Sequence, residues 1–286
     1  MKRPVYESLK DYARGIAGGL LFSFPLLYTM EMWWAGLSAT SLQLIILILI
    51  TYLLLLGYNR FAGMRPDATW GEVAIDSVEE MGIGLVISFG VLLMIRRIDP
   101  AAMGLTELLG KTIIEAMAVS IGVSIGKSQL DSEESGGGKQ PDGGPGSSSD
   151  NGKPDKTDKL GMAVLAICGA VVVGGNVAPT EEILVISLEA KPIHVLMMAV
   201  VSLLLSIVIV YFSDFRGATE KFPKDVLYHI TFDTCVCYLM ALGTSAFILW
   251  FFGRFEDVSF WVAFAQCIVL GVIATLGASA GRLLIK

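Results

Sequence analysis

Eight long apolar stretches constrain the fold of this chain more than any other feature of its sequence. A helix that crosses the hydrocarbon core of a bilayer needs about 20 mostly apolar residues, and each stretch meets or approaches this length. The stretches cover residues 15–36, 40–58, 74–95, 103–126, 160–179, 192–213, 226–252 and 258–284. The mean hydropathy is +0.66 and only 17% of the residues are charged, unlike a soluble globular domain. The sequence therefore predicts an all-α polytopic membrane protein with about eight transmembrane helices.

A polar segment divides these stretches into two groups of four. Residues 131–159 contain no aromatic or aliphatic side chain and many Gly, Ser and charged residues, a composition that cannot bury enough apolar surface to fold. We therefore expect a first membrane repeat over residues 1–126, a disordered linker over 127–159 and a second membrane repeat over 160–286. A regulatory or partner-binding tail is the alternative interpretation of the linker.

The two groups match at several polar positions, which indicates an internal duplication. The matched pairs are Gly18 with Gly169, Thr29 with Thr180, Glu31 with Glu182, Tyr58 with Tyr211, Asp76 with Asp233, Ser77 with Thr234, Ser88 with Ser245, Arg97 with Arg254 and Ser124 with Ser279. Two repeats of four helices enter the membrane in the same direction because four is an even number. The predicted repeats are therefore parallel, whereas many secondary transporters carry inverted ones.

Basic residues indicate the orientation of the chain. The loops opposite the termini hold four of them, Arg96, Arg97, Lys191 and Arg254, and nearly all the others lie on the side of the termini and the linker. Because cytoplasmic loops carry an excess of Lys and Arg, we expect both termini and the linker in the cytoplasm.

Composition and motifs argue against several classes of function. The net charge of −6 is spread over loops, linker and helices, and no basic block indicates a nucleic-acid partner. Neither a GxxxxGK[ST] nor an HExxH motif occurs, so an ATP-driven pump or a zinc protease is not predicted. We expect neither an enzyme nor a cofactor; the enzymatic alternative is a protein that acts on lipid, which would require a water-accessible acid pair or a metal near the headgroups. Lipid is the expected surrounding, while homo-oligomers and a bound metal are left open.

Acids inside apolar stretches are the candidate functional residues, because an ionised side chain in hydrocarbon costs about 2.5 to 3.5 kcal/mol on insertion scales. Glu31 and Glu182 each follow a threonine by two residues, and each comes a few residues after a proline, Pro25 or Pro179. Proline frees an upstream carbonyl, and main-chain oxygens beside a carboxylate are suited to hold a cation. The alternative is that both acids meet water at the outer ends of their helices.

Asp76 and Asp233 form the second matched acidic pair. Glu80 lies one helical turn after Asp76, and His229 lies one turn before Asp233, so each aspartate shares a helix face with another titratable group. The sequence predicts that these residues bind an ion or a proton. The alternative is an amphipathic first turn that lies in the cytoplasmic interface.

Two further features predict helix contacts. Lys111 and Glu115 are four residues apart, so we expect them to form an intrahelical ion pair. Their matched positions in the second group hold Gln266 and Leu270. The small residues of GVSIG at 122–126 and GASAG at 277–281 let helices approach closely. We expect packing seams there, where the two halves meet.

Two stretches resemble a bacterial family of integral membrane proteins of unassigned function: RGIAGGLLFSFPLLYTMEMWW and FPKDVLYHITFDTCVCYLMALGTSAFI. The resemblance extends over nearly the whole chain outside the linker. It implies a multi-pass protein of the bacterial cytoplasmic membrane and carries no substrate or mechanism. A third string, GGNVAPTEE, is similar to the asparagine, proline and glutamate motifs of calcium/cation exchangers, whose inverted repeats differ from the parallel ones predicted here.

These patterns lead to two functional hypotheses. The first is a secondary transporter or channel-like permease for a small cation, with the proton as a candidate coupling ion. In this hypothesis Asp76 and Asp233 titrate or bind the ion, and Glu31 and Glu182 form an outer gate or a second ion layer. The competing hypothesis is a structural or sensory membrane module, whose acids make interhelical hydrogen bonds and which carries no flux.

Overall fold

The computed structural model describes residues 5–63, 68–135, 156–214 and 226–282, and all regular structure in these ranges is α-helical. There are ten helices in the described ranges. They are α1 (Val5–Leu27), α2 (Met30–Ser38), α3 (Ser41–Phe61), α4 (Trp70–Met94), α5 (Leu105–Ser135), α6 (Lys156–Gly175), α7 (Glu182–Glu189), α8 (Pro192–Asp214), α9 (Val226–Phe251) and α10 (Phe260–Arg282).

Six of these helices, α3, α4, α5, α8, α9 and α10, are long and apolar enough to cross a membrane. A seventh span arises if the bent pair of α1 and α2 is counted as one. The prediction of an all-α multi-pass membrane protein is confirmed, and the predicted number of eight spans is not. The difference lies in α6, whose apolar part covers only Leu160–Gly175 and is too short for about 20 residues of hydrocarbon.

The first predicted span is broken, because α1 ends at Leu27 and α2 continues at an angle of 83°. Pro25 lies in the last turn of α1 and has no N–H to continue the helical hydrogen bonds. The hydroxyl of Thr29 donates to the carbonyl of Pro25 at 2.6 Å, and the indole N–H of Trp33 donates to that of Leu27 at 3.2 Å. Side chains therefore satisfy carbonyls that the break leaves free.

Each half is built around its last helix. In the first half α5 contacts α1, α2, α3 and α4, and in the second half α10 contacts α6, α7, α8 and α9. In the apolar segment of α5, 78% of the residues are buried, compared with 22% of those in α3 and 17% of those in α8. The polar residues of α5 therefore lie in the protein interior, whereas α3 and α8 turn most of their surface toward lipid.

The glycine-rich strings pack within each half and not between the halves, which corrects the predicted position of the seams. A Cβ on Gly18 of α1 would overlap with the backbone of Gly126 on α5, and a Cβ on Gly169 of α6 would overlap with that of Gly277 on α10. Helices α3 and α6 make the main contact between the halves, where Leu55 and Tyr58 pack in one cluster with Leu165 and Cys168.

The ends of the predicted linker are helical, because α5 continues to Ser135 and α6 begins at Lys156. Residues 136–155 lie outside the described part of the chain. The division into two repeats joined by a disordered linker at 127–159 therefore stays a prediction.

Candidate functional site

A buried polar network joins three helices of the first half. Its centre is Glu80 on α4, which is 3% exposed. The amide group of Asn59 on α3 donates to Glu80 at 2.8 Å and to the hydroxyl of Ser77 at 3.1 Å, and its oxygen accepts from the hydroxyl of Ser124 on α5 at 2.7 Å. One asparagine thus uses both ends of its amide to hold α4 and α5 together.

Lys127 on α5 supplies the positive charge of this network. Its Nζ lies 2.9 Å from a carboxylate oxygen of Glu79 and 3.9 Å from one of Glu80. The same ammonium lies 5.8 Å from the centre of the Tyr12 ring on α1, within reach of a cation–π interaction. Lys127 is 8% exposed, so its charge is balanced mainly inside the protein.

The network lies toward one end of the membrane region. Asn59 is near the end of α3, and Lys127 is near the end of the spanning part of α5, which reaches Ser128. Glu80 is ten residues into α4, about 15 Å along the helix axis. Beside the network the hydroxyls of Tyr58 and Ser128 share a hydrogen bond of 2.7 Å.

The aspartates predicted as a pair have different surroundings. Asp76 is half-buried, lies one turn before Glu80 on the same face of α4 and interacts electrostatically with it. Asp233 on α9 is also half-buried, but the residue one turn after it is Cys237, which packs among buried alanines such as Ala241. The side chain of His229 lies outside the described residues. The position equivalent to Glu80 in the second half therefore holds a buried cysteine, Cys237, in place of a buried carboxyl group.

The glutamates predicted as an outer pair begin the short helices. Glu31 is half-buried in the first turn of α2, and Glu182 is exposed at the start of α7. The backbone N–H of Glu182 itself, then the hydroxyl of Thr180 and the charge of Arg254, hold the pKa of the Glu182 carboxyl below its usual value. Glu182 is therefore an ionised surface carboxylate near neutral pH.

The predicted ion pair between Lys111 and Glu115 is wrong. Lys111 donates to Glu107 at 2.6 Å, one turn in the opposite direction, and to the carbonyl oxygen of Arg97 at 3.4 Å. Glu115 is 1% exposed, and neither of its carboxyl oxygens has a hydrogen-bond partner among the described residues. The structure thus contains a second buried acid whose surroundings the sequence did not indicate.

A cavity of about 630 Å³ lies between the halves. Helices α3, α5, α6 and α9 provide most of its lining, and the polar side chains among the lining residues are Thr51 and Thr244. None of the candidate acids lines this cavity, so it does not connect the acids of the two halves. In the described ranges no group of three or more His, Cys, Asp or Glu side chains could hold a metal ion.

The seam strings GVSIG and GASAG also fit the pattern GxSxG of serine hydrolases. That motif requires a sharp turn between a strand and a helix to expose the serine. Here Ser124 lies within α5 and bonds to Asn59, and Ser279 lies within α10 and shares a hydrogen bond of 2.8 Å with Ser206. Both serines are buried interhelical contacts, so these strings do not form a nucleophile elbow.

Comparison with known proteins identifies the family of the chain. A family model described as "Putative integral membrane protein (DUF2391)" matches residues 11–285, from the first turns of α1 to beyond the end of α10. Searches among curated proteins and among solved structures give no match. The family description agrees with the six or seven apolar helices of sufficient length. The chain therefore belongs to this family of integral membrane proteins.

Proposed function

We propose that the protein is a secondary transporter or channel-like permease for a small cation, with the proton as coupling ion. We place it in the bacterial cytoplasmic membrane with both termini inside, which requires that α6 and the short α7 together form an eighth, broken crossing in the way that α1 and α2 form the first. The observation that carries this proposal is Glu80, a buried carboxylate in a membrane-spanning helix that Asn59 and Lys127 hold in place. Ionisable residues in such helices are costly, and they commonly mark ion pathways and proton relays. No enzymatic reaction and no cofactor form part of the proposal.

The charges of the network leave room for a cation. Glu79 and Glu80 share the single ammonium of Lys127, so the three groups carry a net charge of about −1 when both carboxyls are ionised. A proton or a small cation bound here would balance this charge in a region where water is scarce.

Matching features in the two halves support an internal duplication. Arg96 and Gly253 both have left-handed backbone, with φ of 58° and 67°, and each is the second residue after its helix, α4 or α9. In the next residues the N–H of Arg97 and that of Arg254 each bond to the carbonyl five residues earlier, at 2.8 and 2.9 Å. Both helices therefore end in the same hydrogen-bonded cap.

The side chain that anchors each cap also comes from the matched position. Lys111 on α5 donates to the carbonyl oxygen of Arg97, and Gln266 on α10 donates to that of Arg254 at 3.1 Å. We propose that the halves are parallel repeats, as occur in some transporters.

The repeats differ in charge, which points to a division of roles. The positions that match Glu80 and Glu115 hold Cys237 and Leu270, both fully buried. We propose that the first half binds the ion and that the second half serves as its structural partner. The matched acids Asp233, Glu31 and Glu182 then have secondary roles in access to the site.

Ion flux into proteoliposomes tests the proposal. Wild type and Glu80→Gln are reconstituted, with Glu189→Gln as the matched control because Glu189 is exposed at the end of α7. We expect cation flux driven by a proton gradient in the wild type and the control, and at least a tenfold loss in Glu80→Gln. Absence of flux for common monovalent and divalent cations, or equal flux in all three proteins, would overturn transport and favour the structural or sensory module.

A further inference from the structure

Glu115 is buried without any polar contact. Of the two buried acids in the described part of the chain, Glu80 and Glu115, it is the one whose carboxyl oxygens both lack a hydrogen-bond partner. It lies ten residues after the start of α5 at Leu105, about 15 Å along the axis, and therefore near the middle of the span. A carboxylate there would have neither water nor a counter-ion, and such a group takes up a proton instead of remaining charged.

Charged groups on the surrounding helices do not change this conclusion. Lys111 is already paired with Glu107. Neither carboxyl oxygen of Glu115 forms a hydrogen bond with a charged side chain of the described residues. Helix α6 also packs against α5, and the ionisable side chains described on the five helices around α5 include Arg14, Glu31, Arg60, Glu80 and Cys168. None of them is a hydrogen-bond partner of Glu115.

The register of the helices places Glu115 beside the break between α1 and α2. One turn after it on α5, Val119 packs in the same cluster as Leu27, the last residue of α1. One turn before it, Lys111 packs against Gly36 of α2. Ion sites near the middle of the bilayer in transporters are commonly built at such interrupted helices.

The second half provides an internal comparison for this position. Leu270 on α10, which matches Glu115, is fully buried and packs with Ala178 and Ile183 at the junction of α6 and α7. An aliphatic side chain therefore meets the packing needs of the equivalent junction. The carboxyl of Glu115 is not needed to fill space.

We propose that Glu115 is a proton-binding site, a neutral carboxylic acid held in the middle of the membrane beside the α1–α2 break. The proton leaves to water only when movement of α2 lets water reach the carboxyl, and the carboxylate is reprotonated when the break closes. This inference does not depend on the proposed cation transport, because a carboxyl can bind a proton without ion flux.

Infrared spectroscopy of the purified protein at neutral pH tests the proposal without any ion gradient. Protonated and ionised carboxyl groups absorb in separate regions of the spectrum. The difference between wild type and Glu115→Gln should contain the band of a carboxylic acid. The difference between wild type and the exposed control Glu189→Gln should contain carboxylate bands and the amide bands of the new glutamine, without a carboxylic-acid band. A carboxylate band in the Glu115→Gln difference would overturn the proposal.

Two further measurements show whether misfolding of Glu115→Gln, and not the loss of a protonated carboxyl group, causes the spectral difference. Glu115→Leu copies the residue of the second half, so we expect it to fold and to lack the same carboxylic-acid band. A native state that holds a proton which the unfolded chain has released loses stability as the pH rises. The melting temperature of the wild type should therefore fall relative to that of Glu115→Leu between mildly acidic and alkaline pH, and an unchanged difference would contradict a bound proton.

Discussion

The guanidinium group of Arg97 lies over the ring of Trp33, with 4.0 Å between its central carbon and the ring centre. Arg97 lies three residues after the end of α4 at Met94, while Trp33 lies on α2. The carbonyl of Arg97 also accepts a hydrogen bond from Lys111 on α5. One residue thus connects the short helix beyond the break with both helices that carry the buried acids.

Substitution of Arg97 should loosen α2. A cation–π contact stabilises by about 0.5 to 2 kcal/mol, depending on its exposure. In Arg97→Leu we therefore expect faster hydrogen exchange of the backbone amides of residues 30–38, measured by mass spectrometry. Arg60→Leu is the control, because it removes a longer contact of 5.6 Å with Trp70 at the other end of the bundle. Unchanged exchange in α2 would show that the stack does not hold this helix.

Removal of Asn59 should destabilise the protein strongly. Asn59→Leu leaves Glu80, Ser77 and Ser124 without the amide that bonds to them, and each unsatisfied buried group costs about 1 to 3 kcal/mol. We expect the free energy of unfolding to fall by about 2 kcal/mol or more, measured by thermal or denaturant unfolding in detergent.

A double-mutant cycle gives the matched control for this prediction. Glu80→Leu removes the main group that Asn59 serves, so Asn59→Leu should cost less in that background than in the wild type. Additive losses in the double variant would mean that the hydrogen bond between the two side chains contributes nothing to stability.

Lys127 should contribute most to the stability of the fold when the carboxyl groups around it are ionised. In Lys127→Met the acids Glu79 and Glu80 lose their ammonium partner, and a buried charge left without a partner costs about 3 to 5 kcal/mol. We expect a loss of stability at neutral pH that shrinks in mild acid, because protonated carboxyls need no counter-ion. Lys191→Met, outside the network, should show no such pH dependence, and a pH-independent loss in Lys127→Met would argue that packing alone is affected.

The apolar pattern of the sequence predicts the ends of several long helices closely. A helix that crosses the hydrocarbon core needs about 20 mostly apolar residues, and this requirement is visible in the sequence. The stretches at 192–213 and 226–252 differ by no more than one residue at each end from Pro192–Asp214 and Val226–Phe251. The break after Leu27 was not predicted. Its cause, a late proline together with the hydrogen bonds of Thr29 and Trp33, depends on contacts that apolar periodicity does not contain.

The sequence also left the contacts of the candidate site undecided, because the spacing of residues along one helix does not identify their partners. Residues at four-residue spacing on a helix are neighbours in both directions, so the sequence could not decide whether Lys111 pairs with Glu107 or with Glu115. Glu80 is one of the predicted candidates, but its partners Asn59 and Lys127 come from other helices. An asparagine directly after the apolar stretch 40–58 is a signal that could have indicated Asn59 as an interhelical contact.

The glycine seam gives a prediction about packing. A side chain on Gly18 would overlap with the backbone of Gly126, whereas open space surrounds the Cβ position of Gly82 on α4. Gly18→Val should therefore separate α1 from α5 and lower the free energy of unfolding by at least about 1 to 3 kcal/mol. Gly82→Val is the control and should retain nearly wild-type stability in detergent. Equal stability of the two variants would mean that the helices can move apart without cost.

Cysteine labelling distinguishes parallel from inverted repeats and tests the orientation at the same time. The four native cysteines are first changed to alanine. Single cysteines are then introduced as Ala101→Cys before α5, Glu256→Cys before α10 and Ala68→Cys before α4. In parallel repeats the first two positions lie on the same side of the membrane, because both precede the last helix of their half.

With both termini in the cytoplasm, a membrane-impermeant maleimide added to intact cells should label the cysteines at positions 101 and 256 and spare the one at 68. Disruption of the cells should make the cysteine at 68 reactive, which controls for its accessibility. Labelling of only one of the two outer positions would contradict parallel repeats. Labelling of position 68 alone would be consistent with parallel repeats but would reverse the orientation inferred from the basic residues. The positive-inside rule predicts only which side of the membrane each loop faces.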